Sequence, residues 1–263
     1  MESRPTRLGN MKIDLNCDLG ESFGAYVIGN DEALLLLITS ANIACGYHAG
    51  DPQVMARTVR LAAQHGVAVG AHPGFPDLAG FGRRVMQLSP EEIETCVLYQ
   101  VGALAAFTRA NSVPLGHVKP HGALYNLAAG EPAIAAAIAR GVASFSRDLI
   151  LVGLAGSEAM VEAAQAAGLS FAAEAFADRV YNPDGTLQSR RIAGSLITDP
   201  ARAAAQAVSI ARDGLVVAHD GTRLSLHADT LCLHGDNPAA LVNAPAVRQA
   251  LAAEGVEVRA LAR

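Results

Sequence analysis

Six short polar segments carry most of the side chains that could move protons or stabilise charge. Asn16-Cys17-Asp18-Leu19-Gly20-Glu21 offers two carboxylates, Asp18 and Glu21, that can be aimed at one site, although Asn, Asp and Gly also form plain turns. Ser40 to Pro52 contains Asn42, and His48 sits between Gly46 and Gly50, where small residues let backbone approach a ligand. Gly70 to Arg84 contains His72, stiffened by Pro73 and Pro76, and then Arg83 and Arg84. Their guanidinium groups suit a two-pronged grip on carboxylate or phosphate, or equally a rim salt bridge. The densest segment is His117-Val118-Lys119-Pro120-His121. Strand alternation would put His117, Lys119 and His121 on one face, with Pro120 breaking the strand before His121. A lysine ending a buried strand needs a task or a carboxylate partner. It can stabilise an oxyanion or hold phosphate, and histidine can move protons near pH 7. A buried Lys–Asp pair is the competing reading. Glu174 can serve as acid, base or clamp, beside Asp178 and Arg179, and His234-Gly235-Asp236-Asn237 closes the series. His48, His72, His121 and His234 with Asp18 could gather round a metal, but their spacing fits no compact metal motif, so a metal is left open.

The elements that must position these groups alternate. Apolar runs at Ile13–Asn16, Ala41–Cys45, Val67–Ala71, Leu115–Lys119, Leu149–Leu154, Ser170–Ala175 and Thr230–Leu233 read as strands. Helices are expected between them. Asp51-Pro52 and Asp199-Pro200 read as a cap followed by proline at the first helical position, and Ser89 with Glu92 as a capping box. Further helices are expected over 31–39, 132–142, 157–167 and 238–254, and short strands over 215–218, 224–226 and 256–258. This order predicts an α/β fold with parallel strands. Polar groups follow the C-terminal end of nearly every strand, which favours a closed barrel, because a barrel gathers all its strand ends at one mouth. No linker-like stretch divides the chain, so one domain over 11–263 is expected, preceded by a disordered tail over 1–10.

Composition narrows the function. The chain has 263 residues, 51% hydrophobic and 17% charged, with a net charge of −5, so long disorder and nucleic-acid binding are both disfavoured. Four cysteines without a C-x-x-C pair, and no secretory signal, suggest reduced thiols and a cytoplasmic protein. No apolar run is long enough for a membrane helix. There is no P-loop, no G-x-S-x-G elbow and no H-E-x-x-H. Gly153 to Ser157 is only a weak candidate for a phosphate turn.

Seven stretches in order resemble the LamB/YcsF family, the A-type subunits of bacterial 5-oxoprolinase. They are IDLNCDLGESFG (13–24), SANIACGYHAGDP (40–52), GAHPGFPDLAGFGRR (70–84), YQVGAL (99–104), HVKPHGALYN (117–126), EAFADRVY (174–181) and HGDNPAA (234–240). The departures are the ten-residue N-terminal extension and Val180, where the family often carries a second arginine.

The resemblance implies an irregular, TIM-like (β/α) barrel similar to the sugar-deacetylase barrels. It also implies ATP-dependent opening of the 5-oxoproline lactam to L-glutamate, with ADP and phosphate released. Subunits B and C would be partners, with the ATP site expected on them. In that picture Asp18 is the general base on water. Lys119 and Arg83 neutralise phosphate or developing charge, and His121 or His72 protonates the leaving nitrogen. Glu21, Asn42 and His48 orient the ring, with Glu174, Asp178 and Arg179 also in the substrate site. A metal-dependent deacetylase-like hydrolase and a non-catalytic lactam-binding scaffold are the alternatives, and a homo-oligomer is compatible with either.

Overall fold

The computed structural model describes residues 11–237 and 239–262, so the tail expected over 1–10 lies outside the described residues. In chain order the strands are β1 (Met11–Leu19), β2 (Ser40–Ala44), β3 (Ala68–His72), β4 (Leu115–Val118), β5 (Ile150–Leu154), β6 (Ser170–Phe176), β7 (Leu215–Val217), β8 (Arg223–Ser225), β9 (Thr230–His234) and β10 (Val256–Val258). Seven of them pair in parallel, in the order β1-β2-β3-β4-β5-β6-β9, and β9 closes back on β1. The result is a closed seven-stranded (β/α) barrel. β10 adds to the first half of β1 outside the closure, and β7 and β8 form a separate hairpin.

The flanking helices are α1 (Asp31–Leu35), α2 (Pro52–His65), α3 (Pro90–Ala110), α4 (Gly122–Gly130), α5 (Pro132–Phe145), α6 (Glu158–Ala167), α7 (Pro200–Val208) and α8 (Ala240–Ala253). The sequence signals set several of their starts. Asp51 accepts hydrogen bonds from the Gln53 and Val54 amides at 2.8 and 3.0 Å, ahead of Pro52. Ser89 and Glu92 exchange the two bonds of a capping box. Among the described residues no helix is long and apolar enough to cross a membrane.

Several elements differ from expectation, among them α1, which stops at Leu35 where a helix to 39 is expected. β1 runs through Leu19, so Asp18 lies in the strand and not in a turn after it. The turn-forming Asp14, Asn16 and Asp18 point inward on alternate positions, where neighbouring strands satisfy them. α4 has no counterpart among the expected helices: it is bounded by glycines and opens at His121 with no side-chain cap. The last helix begins at Ala240 and accommodates Pro245, while Pro238 lies outside the described residues.

The barrel interior is polar along one stack. At its base Asp14 accepts hydrogen bonds from Thr39, Ser40 and Thr230. One layer up, Asn16 donates to Glu174 at 3.0 Å and to Thr230 at 2.7 Å, and accepts from Asn42 at 2.7 Å. His117 donates to Asn42 Oδ1 at 2.8 Å. A Cβ at residue 70 would stand 2.1 Å from His117 Nε2, so glycine is required for that ring to cross the barrel. Buried polar groups paired in this way avoid the cost of desolvation without a partner. Leu15, Cys17 and Leu19 face the other way, into the apolar shell.

Candidate active site at the barrel mouth

The interior stack ends at the C-terminal side of the strands in a cavity of about 700 Å³. Asp18, Glu21, His72, Arg83, Lys119, His121 and Arg179 line it, together with Arg190, His234 and Asp236. Its centre is a buried charge cluster. Lys119 Nζ lies 2.8 Å from Asp18 Oδ1, 2.9 Å from Glu174 Oε1 and 3.1 Å from Cys232 Sγ. Burial alone would drive the ammonium toward neutrality, but Asp18, Cys232 and Glu174 hold its pKa well above the usual lysine value. Burial pushes Asp18 up, and His72 and Lys119 outweigh that, leaving its carboxyl well below the ordinary range. Asn42 donates to the same Asp18 oxygen at 2.8 Å, so Oδ2 is the one turned to His72, 3.3 Å from Nε2.

The histidines form the opposite wall. His72 Nδ1 donates to the Lys119 carbonyl at 2.7 Å, and His121 Nε2 donates to the Phe81 carbonyl at 2.8 Å. The turn presenting that carbonyl is tight, with Phe81 at φ 54° and Gly82 at φ 63°. A Cβ on Gly82 would come within 2.8 Å of both His121 and His48. The remaining nitrogens, His72 Nε2 and His121 Nδ1, face one another at 2.9 Å. His48 stacks flat on His121, with centroids 3.7 Å apart and planes at 3°. Burial lowers the pKa of both His48 and His121 well below the histidine norm. Glu21 Oε1 lies 3.5 Å from His48 Nε2 and 3.5 Å from His121 Nδ1, and burial, with Asp18 beside it, raises the Glu21 pKa well above normal.

The outer wall is cationic. Arg83 and Arg190 converge on Asp236, Arg190 Nη1 at 3.0 and 2.9 Å from its two oxygens. Burial would raise Asp236, but Arg190, His234 and Arg83 bring its pKa to about 2. Arg179 is buried, gives Nη2 to the Gln188 carbonyl at 2.6 Å and leaves Nε without a hydrogen-bond partner. Burial, with Arg190 nearby, lowers its pKa to about 10. Arg84 is a rim residue paired with Asp77.

The structure therefore brings the sequence-derived candidates into one region, at two depths. Asp18, Glu21, His72, Arg83, Lys119, His121 and Arg179 reach the cavity. Asn42 and Glu174 stand behind it and hold Asp18 and Lys119, and His48 stands behind it 3.5 Å from Glu21 with neither ring nitrogen hydrogen-bonded. Asp178 is also a support: it accepts from the His234 ring at 2.9 Å, from the His234 amide and from Asn237. It is thus a buried buttress for His234, where the resemblance implies a place in the substrate site. Sequence reading does not find Arg190, which lies in a loop without periodicity. Nor does it find Cys232, which lies in an apolar strand and accepts a hydrogen bond from Lys119.

Among the described residues, two groups of side chains bring possible metal-ligand atoms within 4.8 Å of one another: Glu21, His48, His72 and His121, and Asp18, Cys232 and His234. In the second, the Lys119 ammonium already lies against Asp18 and Cys232 and supplies the positive charge.

A closed parallel barrel defines the (β/α)-barrel class, and the acids, bases and cations at its C-terminal mouth form the candidate site where that class usually carries one. At the level of fold alone it is similar to the catalytic domain of a peptidoglycan N-acetylglucosamine deacetylase from Eubacterium rectale. That likeness has a TM-score of 0.51 at 11% identity over 99% of this chain and 93% of that one. Within that class, the LamB/YcsF family profile matches residues 13–263, and the chain belongs to that family. It is 58% identical to the 5-oxoprolinase A-type subunit of Chloroflexus aggregans over 95% of this chain and 98% of the relative. It superposes on the "Lactam Utilization Protein" of Thermus thermophilus with a TM-score of 0.89 at 52% identity, covering 95% of this chain and all of the other.

Proposed function

We propose that this chain is the ring-opening subunit of a cytoplasmic, ATP-dependent 5-oxoprolinase, and that it converts an activated 5-oxoproline to L-glutamate. The observation that carries the reading is the Asp18–Lys119 pair at the cavity floor, facing a cationic wall built from Arg83, Arg179 and Arg190. The names of the relatives from Chloroflexus and Thermus support the substrate class.

A five-membered lactam is an amide with a weakly electrophilic carbon and a poor leaving group. Transfer of phosphate from ATP to the lactam oxygen, with ADP released, gives an imidoyl phosphate. Water then adds to the ring carbon, and the C–N bond breaks as the nitrogen takes a proton. The resulting acyl phosphate reacts with a second water to give the side-chain carboxylate and inorganic phosphate. In this reading partner subunits B and C perform the transfer, and this chain performs the water steps.

Asp18 Oδ2 takes the proton from water and returns it to the departing nitrogen. Lys119 offsets charge on the tetrahedral oxygen. Arg83 and Arg190 hold phosphate or the ring carboxylate. Neither His72 nor His121 is given the role of proton donor. Each donates its ring hydrogen to a backbone carbonyl, so a neutral ring has none to offer the cavity. The missing P-loop motivates this division of labour, although ATP sites without a P-loop exist, and isothermal titration of ATP into this chain alone tests it. No binding at millimolar nucleotide is expected, and tight binding would overturn the split.

A further inference from the structure

We infer that Glu21, His72 and His121 form a binding site for a divalent metal ion of the zinc type, with an open position facing the cavity for a water molecule. The inference deepens the lactam reading and rests on it for the role of that water.

The histidine tautomers carry the argument. A ring nitrogen bonded to a carbonyl must hold the hydrogen, which places it on His72 Nδ1 and on His121 Nε2. With both rings neutral, the two nitrogens left over present lone pairs to one another at 2.9 Å. A cation between them resolves that repulsion. Metal-bound histidines characteristically anchor the other ring nitrogen on a carbonyl or carboxylate in this way.

An independent observation is the orphaned carboxylate. Glu21 is 3% exposed, and its Oε1 has no hydrogen-bond partner although it stands 3.5 Å from His121 Nδ1. The three donor atoms lie within 4.8 Å of one another. Tetrahedral ligand atoms on a zinc ion, with bonds of about 2.0–2.1 Å, stand roughly 3.4 Å apart. Two histidines and a glutamate with one water is a donor set that hydrolytic zinc uses.

His48 is excluded from the ligand set by its geometry. Its ring is parallel to His121 at 3.7 Å, and two stacked rings cannot both direct in-plane lone pairs at one ion. It stands 3.5 Å from Glu21 Oε1 and backs that carboxylate. Asp18 Oδ2, 3.3 Å from His72 Nε2, lies where it can accept a proton from a metal-held water. Such an ion would lower the pKa of that water and so supply the nucleophile.

The test is metal content and affinity on the isolated chain. The protein is stripped with chelator and dialysed against Zn²⁺, and bound metal is counted by plasma mass spectrometry with affinity from a chromophoric competitor. One ion per chain is expected, weakened at least 100-fold in both Glu21→Gln and His121→Gln and unchanged in the exposed-site control His227→Asn. Circular dichroism of the metal-free variants establishes that they are folded, and Co²⁺ absorption that disappears in His72→Gln gives a readout independent of affinity. Substoichiometric binding, or binding unchanged in Glu21→Gln and His121→Gln (an adventitious ion only), would overturn the site. Glutamate production by the reconstituted complex separates the two readings. Stoichiometric zinc without glutamate contradicts the lactam reading and leaves the site standing. Full-rate glutamate from the stripped chain removes the metal-held water and leaves the lactam reading standing.

Discussion

Lys119 and Asp18 form an ion pair of 2.8 Å at the floor of the mouth, with Glu174 on the other side of the same ammonium at 2.9 Å. The ends of β1 and β6, the two strands that flank β9, are thereby tied to the end of β4 through one nitrogen. Lys119→Met leaves two buried carboxylates without their cation, so a loss of about 3–5 kcal/mol in urea unfolding is expected. Asp18→Asn keeps Glu174 against Lys119 and is expected to cost clearly less. Equal stability of Lys119→Met and the parent would contradict this account of the pair.

Asp18 is also the proposed base. Asp18→Asn preserves size and the contact with Lys119, so substrate recognition is retained while proton transfer is lost. Steady-state kinetics of the complex should show kcat for glutamate reduced by about 10²–10⁴, with KM changed little. A change confined to KM would assign Asp18 to binding.

Arg190 offers a different signature. Its charge is shared between Asp236 and the cavity, and it lies on the loop between β6 and α7. Arg190→Gln should raise KM about 10- to 100-fold with kcat little affected, the pattern of lost uniform binding. Asp236→Asn releases both Arg190 and Arg83 from their carboxylate and should make binding of an anionic substrate more salt-sensitive.

Acid sensitivity of the fold is predicted from His117. Burial, with Lys119 and His72 adding repulsion against the smaller help of Asp18, lowers its pKa to about 4. The unfolded chain takes up that proton near 6.5, well before the folded chain does. Stability therefore falls as pH drops from 6.5 toward 4, because the unfolded state binds more protons in that window. At pH 5 this one group costs about 2 kcal/mol relative to pH 7. His117→Gln should remove roughly that much of the pH 7-to-5 difference in urea unfolding free energy. An unchanged difference would show that the fold does not lower the His117 pKa.

Much of this site is legible in the sequence because a closed barrel turns a linear rule into a spatial one. Each apolar run ends where its strand leaves the core, and whatever polar residue follows must appear at the common mouth. Asp18, His72, Lys119 and His121, at or just past their strand ends, are found in that way, while Glu174, inside β6, supports the mouth from behind. The unread parts have physical causes. Asp14 and Asn16 are turn formers by type, and only the neighbouring strands turn them into interior partners for Ser40, Thr230 and Glu174. α4 lacks a side-chain cap and is held instead by packing and by Ala123 N bonded to the Gly82 carbonyl. Arg190 sits in an aperiodic loop, so its contact with Asp236 exists only in three dimensions.

The central claim is tested most directly by following L-glutamate from 5-oxoproline in mixtures of this chain, its candidate partner subunits and ATP. The account predicts glutamate only when all components are present, with ADP released in step, and a loss of at least about 100-fold when Asp18→Asn replaces the parent chain. Full glutamate production by the Asp18→Asn complex, or by the partners and ATP without this chain, would contradict it.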